Sequence, residues 1–224
     1  MGCYVYCIVP IGHAPENITG IDRQAVDQLD GAGVGCWVSV FDKRPEPTLD
    51  RVREHNAVIQ AAVTDTVTPV PIRFGQWLES SPALLEHLAL NAARYTTLLT
   101  QFAGALEFGL RVLDPDRPGR VATAAETVSG TAYLTALRDQ LRGAELDQPE
   151  IAALRAALHE AFEDTVKSEQ FEPLRTTHGL LSVTHLVDRS RFDAYRATIV
   201  RVRAQQPQLR FLATGPWPPY SFAA

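Results

Sequence analysis

The chain closes on Thr214-Gly215-Pro216-Trp217-Pro218-Pro219-Tyr220-Ser221-Phe222-Ala223. Three prolines in four positions exclude a helix and a central strand, because each removes a backbone donor and fixes φ. The same prolines leave little backbone freedom to be lost on docking. Most chain ends fray, but one carrying Trp217, Tyr220 and Phe222 on a stiffened backbone is expected to dock. The fold must therefore offer a surface for it, on this chain or on a partner.

Such a surface needs a core beneath it. With 224 residues and 46% hydrophobic content, the chain is long enough for one large or two small domains. A net charge of −5 argues against a general nucleic-acid binder, and no apolar run approaches a membrane span. Cys3, Cys7 and Cys36 are an odd set without an export signal before them, so the expectation is reduced thiols in the cytosol.

Hydrophobic patterning predicts the elements. Cys3–Val9 and Gly35–Phe41 read as strands, with a short helix at 22–29 between them. A helix at 48–63 carries Leu49, Val52, Ile59 and Val63 on one face. Thr66–Phe74 is extended, since Pro69 and Pro71 exclude helix. Ser81 is read as the cap of a helix with Pro82 at its first position and Leu84, Leu88, Tyr95 and Leu99 in a stripe. Residues 106–113 form a strand, 114–129 a loop, and 130–142 a helix. A further helix starts at Asp147 with Ile151, Leu154, Leu158, Phe162 and Val166 as its apolar stripe. Strands at 171–177 and 180–187, a helix capped by Ser190, and a strand at 208–214 complete the order.

The fold class is therefore α+β with two domains, each a sheet with helices on one face. Residues 1–104 form an N-terminal α+β domain. Residues 105–224 follow the βαββαβ order of a ferredoxin-like fold with an enlarged first crossover, ending in the Pro/aromatic tail 214–224.

Chemistry is sparse. Cys3 and Cys7, four apart in a strand, face the same side, and with Cys36 and His55 they could form a zinc site. No CxxC pair occurs, and buried thiols pack as small hydrophobes, so core packing is the better reading. The six histidines have no short ligand spacing. Gly31-Ala32-Gly33-Val34-Gly35 precedes a strand instead of following one, which makes it a turn and not a phosphate loop. No metal, cofactor or catalytic residue is assigned. Arg73, between apolar neighbours in Val70-Pro71-Ile72-Arg73-Phe74-Gly75, is expected to be partly buried and bonded to a carbonyl or to a carboxylate such as Glu107. The functional reading is stacking on Trp217 or Tyr220, and both roles can hold at once. The structural role is preferred, since a lone arginine seldom marks a site.

Taken in order, Tyr4–Val9, Pro71–Gly75, Leu106–Val112, Gly130-Thr131-Ala132-Tyr133-Leu134 and Thr214–Phe222 resemble the gas vesicle protein L/F family. They span nearly the whole chain, and the terminal motif is highly specific. Cys7 stands where the family often has glycine, and Phe108 where it has tryptophan. The resemblance implies a ferredoxin-like C-terminal half and an accessory role in forming gas vesicles, the gas-filled protein organelles that give cells buoyancy. It implies contact with the small hydrophobic shell protein and with other accessory proteins, in the cytoplasm and at the vesicle, with no nucleic acid or membrane as partner. It carries no catalytic residues, so a non-enzymatic role is expected. A minor structural component of the vesicle wall and a small-ligand enzyme on a ferredoxin-like scaffold are the alternatives. The interaction or structural motif comprises Arg73, Phe74, Glu107, Trp217, Pro218, Pro219, Tyr220 and Phe222. The tail is expected to dock on the protein's own domains near Pro71–Gly75.

Overall fold

A computed structural model describes residues 1–116, 149–174 and 178–223. The expected helix at 130–142, the Gly130–Leu134 segment, most of the 114–129 loop and the cap at Asp147 lie outside these residues. The described chain is mixed α+β and divides into two compact units. One holds Met1–Glu107 and Pro216–Ala224; the other holds Phe108–Gly215.

In the first unit, β1 (Gly2–Val9) pairs antiparallel with β3 (Val34–Phe41), which pairs with β2 (Asp27–Gly31). On its other edge β1 meets two short strands, β4 (Val70–Pro71) and β5 (Trp77–Leu78). The β2–β3 connection is a two-residue turn with φ of 52° at Ala32 and 86° at Gly33, the left-handed pair that a tight hairpin requires. The glycine-rich stretch thus makes a turn, as its chemistry predicts. Strand β2 takes the last three residues of the helix expected at 22–29, and its first two belong to a single helical turn at Ile21–Arg23. Its Asp27-Gln28-Leu29-Asp30-Gly31 sequence lacks β-branched residues and carries no strand signal.

Every residue of β1 is buried, as a strand covered on both faces must be. Tyr4 and Tyr6 pack with Val58 and Ile59 of α1 (Leu49–Ala61). Val5 and Ile8 share a cleft with Leu84 and Tyr95 of α2 (Ser81–Phe102). Helices on one face only, as the sequence suggested, would leave half of these apolar residues in water. A register shift between Val5 and Cys7 is a bulge that changes the alternation. Cys7 joins the cluster of Tyr4, Tyr6 and Val9, while Cys3 lies 3.6 Å from Ser81 Oγ. The two thiols therefore do not share a face.

Helix α1 is capped by Thr48, but its buried side is His55, Val58 and Ile59, and Leu49 is 77% exposed. Helix α2 is capped by Ser80, not Ser81. The one-residue shift keeps Pro82 within the first turn, where its missing donor costs nothing.

The second unit contains β6 (Ala105–Leu113), α3 (Pro149–Phe162), β7 (Ser168–Pro173), β8 (Gly179–Asp188), α4 (Phe192–Gln205) and β9 (Arg210–Trp217), with β6 and β9 running across the unit boundary. The sheet order is β7-β8-β6-β9. Asp188, not Ser190, accepts the capping bond from Ser190 N, because a one-turn helix at Arg189–Arg191 precedes α4. Leu110, Val112, Phe162, Val183 and Tyr195 form the core. His185 is inside it, bonded through Nδ1 to Tyr195 Oη at 2.9 Å, although the sequence offers no reason to bury it. Strand β9 continues through Pro216 to Trp217, three residues past its expected end. It is an edge strand, the position where proline is tolerated.

Candidate functional site

The tail docks on the first unit. Pro218 and Pro219 are buried, and Tyr220 N donates to Pro218 O at 2.8 Å. That i to i+2 bond is a γ-turn centred on Pro219, whose ring presets φ near the value the turn needs. Tyr220 packs against the Tyr4–Ile59 cluster together with Phe74 and Trp77, and its hydroxyl donates to Asn56 Oδ1 at 2.7 Å. Ser221 then makes two bonds to one carboxylate: its N–H to Glu107 Oε2 at 2.8 Å and its Oγ to Oε1 at 2.9 Å. Burial raises the Glu107 pKa, and the two Ser221 donors oppose that rise. Arg94 Nη2 donates to Ala223 O at 2.7 Å. Phe222 is half-buried.

The Pro71–Gly75 loop is fixed from beneath. His55 Nε2 lies 2.8 Å from Ile72 O, a carbonyl that can only accept, so this nitrogen carries the proton. His55 Nδ1 then accepts from Tyr4 Oη at 3.0 Å, and Tyr4 Oη accepts from Gly75 N at 3.0 Å. Burial holds His55 neutral, pushing its pKa down to about 4, and burial pushes the Tyr4 hydroxyl up. Gly75 sits at φ 96°, a left-handed conformation suited to glycine. With both ring nitrogens engaged, His55 has a structural role. Burial raises the Cys7 and Cys36 pKa values, which disfavours thiolate.

Beside the docked tail lies a groove of about 460 Å³. One wall is Arg53, Asn56, Ala57 and Gln60, a single stripe of α1 at i, i+3, i+4 and i+7. Trp217, Pro218 and Tyr220 line it from the tail, and Glu107 contributes as well. Trp217 is 51% exposed, large for an indole held by buried neighbours on its C-terminal side. Ser221 and Glu107 form a hydroxyl–carboxylate pair, which restrains the tail and offers no imidazole to activate the hydroxyl.

Glu107, Pro218, Pro219 and Tyr220 thus converge, and Phe74 lies in the same cluster. Arg73 does not join them as expected. It is exposed, and among the described residues it forms no hydrogen bond, ion pair or ring contact. Phe74 turns inward to 5.7 Å from Tyr4 and 5.6 Å from His55, which directs its neighbour outward, and Glu107 is already held by Ser221. Sequence reasoning missed Ser221, Arg94, the Tyr4–His55 pair and the α1 stripe. Only the stripe left a signal, as one small and three polar residues at helical spacing.

The family model described as gas vesicle synthesis protein GvpL/GvpF matches residues 2–224. The chain belongs to this family. Gas vesicle protein L2 and gas vesicle protein F2 of Halobacterium salinarum are each 29% identical, over 99% and 80% of this chain and 91% and 70% of their own lengths. Gas vesicle protein L of a Streptomyces species is 30% identical over 78% of this chain and 69% of its own. The crystal structure of the gas vesicle protein GvpF from Anabaena sp. superposes with a TM-score of 0.74 at 16% identity, covering 100% of this chain and 96% of that one. GvpF from Microcystis aeruginosa gives 0.65 at 18% identity, covering 100% and 99%. The mixed α+β fold is therefore shared with solved members. Among the described residues, no helix is long and apolar enough to cross a membrane.

Proposed function

We propose that this protein is a non-enzymatic accessory factor that binds the small hydrophobic shell protein, and other accessory proteins, while the gas vesicle is being built in the cytoplasm. A role in gas vesicle formation follows from the family. The observation that carries the binding reading is Trp217, 51% exposed at the lip of the α1 groove on a tail that Glu107 and Asn56 hold in place. A pre-ordered aromatic beside a groove suits an apolar partner segment, because little entropy is lost on binding. Shell subunits need such cover before assembly, since exposed apolar surface drives aggregation. Phe74, Glu107, Pro218, Pro219 and Tyr220 position the tail in this reading, and Trp217 makes the contact. The C-terminal unit is read as ferredoxin-like, which the order β7-β8-β6-β9 supports.

Pull-down from cells co-expressing the shell protein tests this. Wild type should retain the shell protein and Trp217→Ala should lose most of it. Reproducible absence of association with wild type, direct or bridged, refutes the proposal. Quantifying the protein in washed vesicles separates a transient factor, absent from them, from a minor wall component.

A further inference from the structure

A second cleft of about 380 Å³ opens on the first unit, and Tyr220 lines it too. Its apolar lining is Ile72 and Tyr220, both half-buried, together with Val5, Ile8 and Leu84, which are at most 2% exposed. Its charged lining is of one sign. Arg73 enters from the loop after β4 and Arg94 from α2, with His87 seven residues earlier on the same helix, and no carboxylate side chain is present among the described lining residues. In a chain with 26 acidic and 21 basic residues, this positive sign is a local property and not a reflection of net charge.

The donors are unevenly used. His87 Nε2 lies 2.9 Å from Tyr95 Oη, and Arg94 uses Nη2 on Ala223 O. Arg73 has no partner among the described residues, which leaves a complete planar guanidinium fork at the cleft. Such a fork matches the two oxygens of a carboxylate or phosphate.

We propose that this cleft binds an amphiphilic oxyanion, a carboxylate or phosphate on a short apolar body. The oxyanion meets Arg73 and Arg94, and the apolar part covers Ile72 and Tyr220, the half-buried apolar residues of the lining. The ligand is either a free small anion or an acidic side chain flanked by apolar residues in a partner segment. Both present the same chemistry to the cleft.

The test uses the full chain with four probes: hexanoate, hexanol, inorganic phosphate and an acetylated, amidated Leu-Glu-Leu peptide. Binding is followed by methyl chemical shifts of Ile72 and of the buried Val5, Ile8 and Leu84. Hexanoate should bind roughly tenfold or more tightly than hexanol, as expected for one charge-assisted contact, and should weaken as salt rises. Arg73→Ala should lose about the same factor, and Arg73→Lys should recover part of it. Because Arg73 is exposed and has no partner among the described residues, the variants should keep the wild-type melting temperature. Tighter binding by the peptide assigns a partner segment; tighter binding by hexanoate assigns a free anion. Equal affinity for hexanoate and hexanol, indifference to Arg73→Ala, phosphate matching hexanoate, or no shift with any probe would each overturn the proposal.

Discussion

Glu107 restrains the tail through two bonds from one residue, so Glu107→Ala removes both acceptors together. A hydrogen bond to a charged group contributes about 1.5–3 kcal/mol. Against this, the carboxylate is costly to hold where it is, as its raised pKa indicates, and its removal relieves part of that cost. Setting the two bonds against the relief gives a net loss near 2 kcal/mol for the docked tail, or a roughly 30-fold larger population with the tail undocked. Glu107→Gln keeps one acceptor oxygen and should lose about half as much. The assay is amide hydrogen exchange at Tyr220. Its N–H bonds to Pro218 O within the γ-turn, so it reports docking without itself losing a partner. Protection at Tyr220 should fall about 30-fold in Glu107→Ala, several-fold in Glu107→Gln, and not at all in β3. Unchanged protection at Tyr220 in the alanine variant would refute the clamp and leave the restraint to buried Pro218 and Pro219, the packing of Tyr220 and the bonds to Asn56 and Arg94.

Three further outcomes are expected. His55 and His185 both titrate near pH 4 when folded, because burial disfavours their charged forms. The unfolded chain, with ordinary histidines, binds more protons between pH 4 and 6.5. Stability is thus complete above pH 6.5 and falls toward pH 4 by about 3 kcal/mol per histidine; urea midpoints that stay flat down to pH 4.5 would contradict this. Gly20→Ala would drive a methyl into Tyr6 Oη and the ring behind it, where Tyr6 bonds Ser39 and Ile21, and should cost about 2–4 kcal/mol in chemical denaturation. Trp217→Ala should alter the melting temperature by a degree or less while deletion of 215–224 lowers it clearly, since the indole is half exposed but Tyr220 belongs to the core cluster.

Elements whose apolar residues form a continuous run or repeat at a single clear period were legible in the sequence. Strands β1, β3, β6 and β8 and helices α1 to α4 are of this kind. Strand β2 was not, because an edge strand of mostly polar residues takes its conformation from the partner and not from its own pattern. The cap shifts have other origins: adjacent Ser80 and Ser81 can each cap α2, and the extra turn at Arg189–Arg191 moves the cap before α4 back to Asp188. For the site, the prolines together with Trp217, Tyr220 and Phe222 foretold a docked tail. Arg73 was misread because its apolar neighbours suggested burial, whereas alternation along an extended segment puts residue 73 opposite 72 and 74. The groove wall was overlooked because Arg53, Asn56, Ala57 and Gln60 resemble a solvated helix face, which they are until a tail is laid beside them.

One turn of α1 holds both the loop and the tail. His55 points inward and ties both ends of the Pro71–Gly75 loop, to Ile72 directly and to Gly75 through Tyr4. Asn56, the next residue and about 100° around the helix, is exposed and accepts the Tyr220 hydroxyl. Phe74 and Tyr220 pack against the same cluster. The loop and the tail are therefore positioned by adjacent residues of one rigid element, although they lie about 150 residues apart in the chain. This explains how Trp217 can be both exposed and ordered. Its position is set by its C-terminal neighbours (the buried prolines, Tyr220 on Asn56 and Ser221 on Glu107) and not by burial of its own ring. A double-mutant cycle of His55→Gln and Asn56→Ala should accordingly show coupling of about 0.5 kcal/mol or more in Tyr220 exchange. Strict additivity would mean that the loop and the tail are held independently.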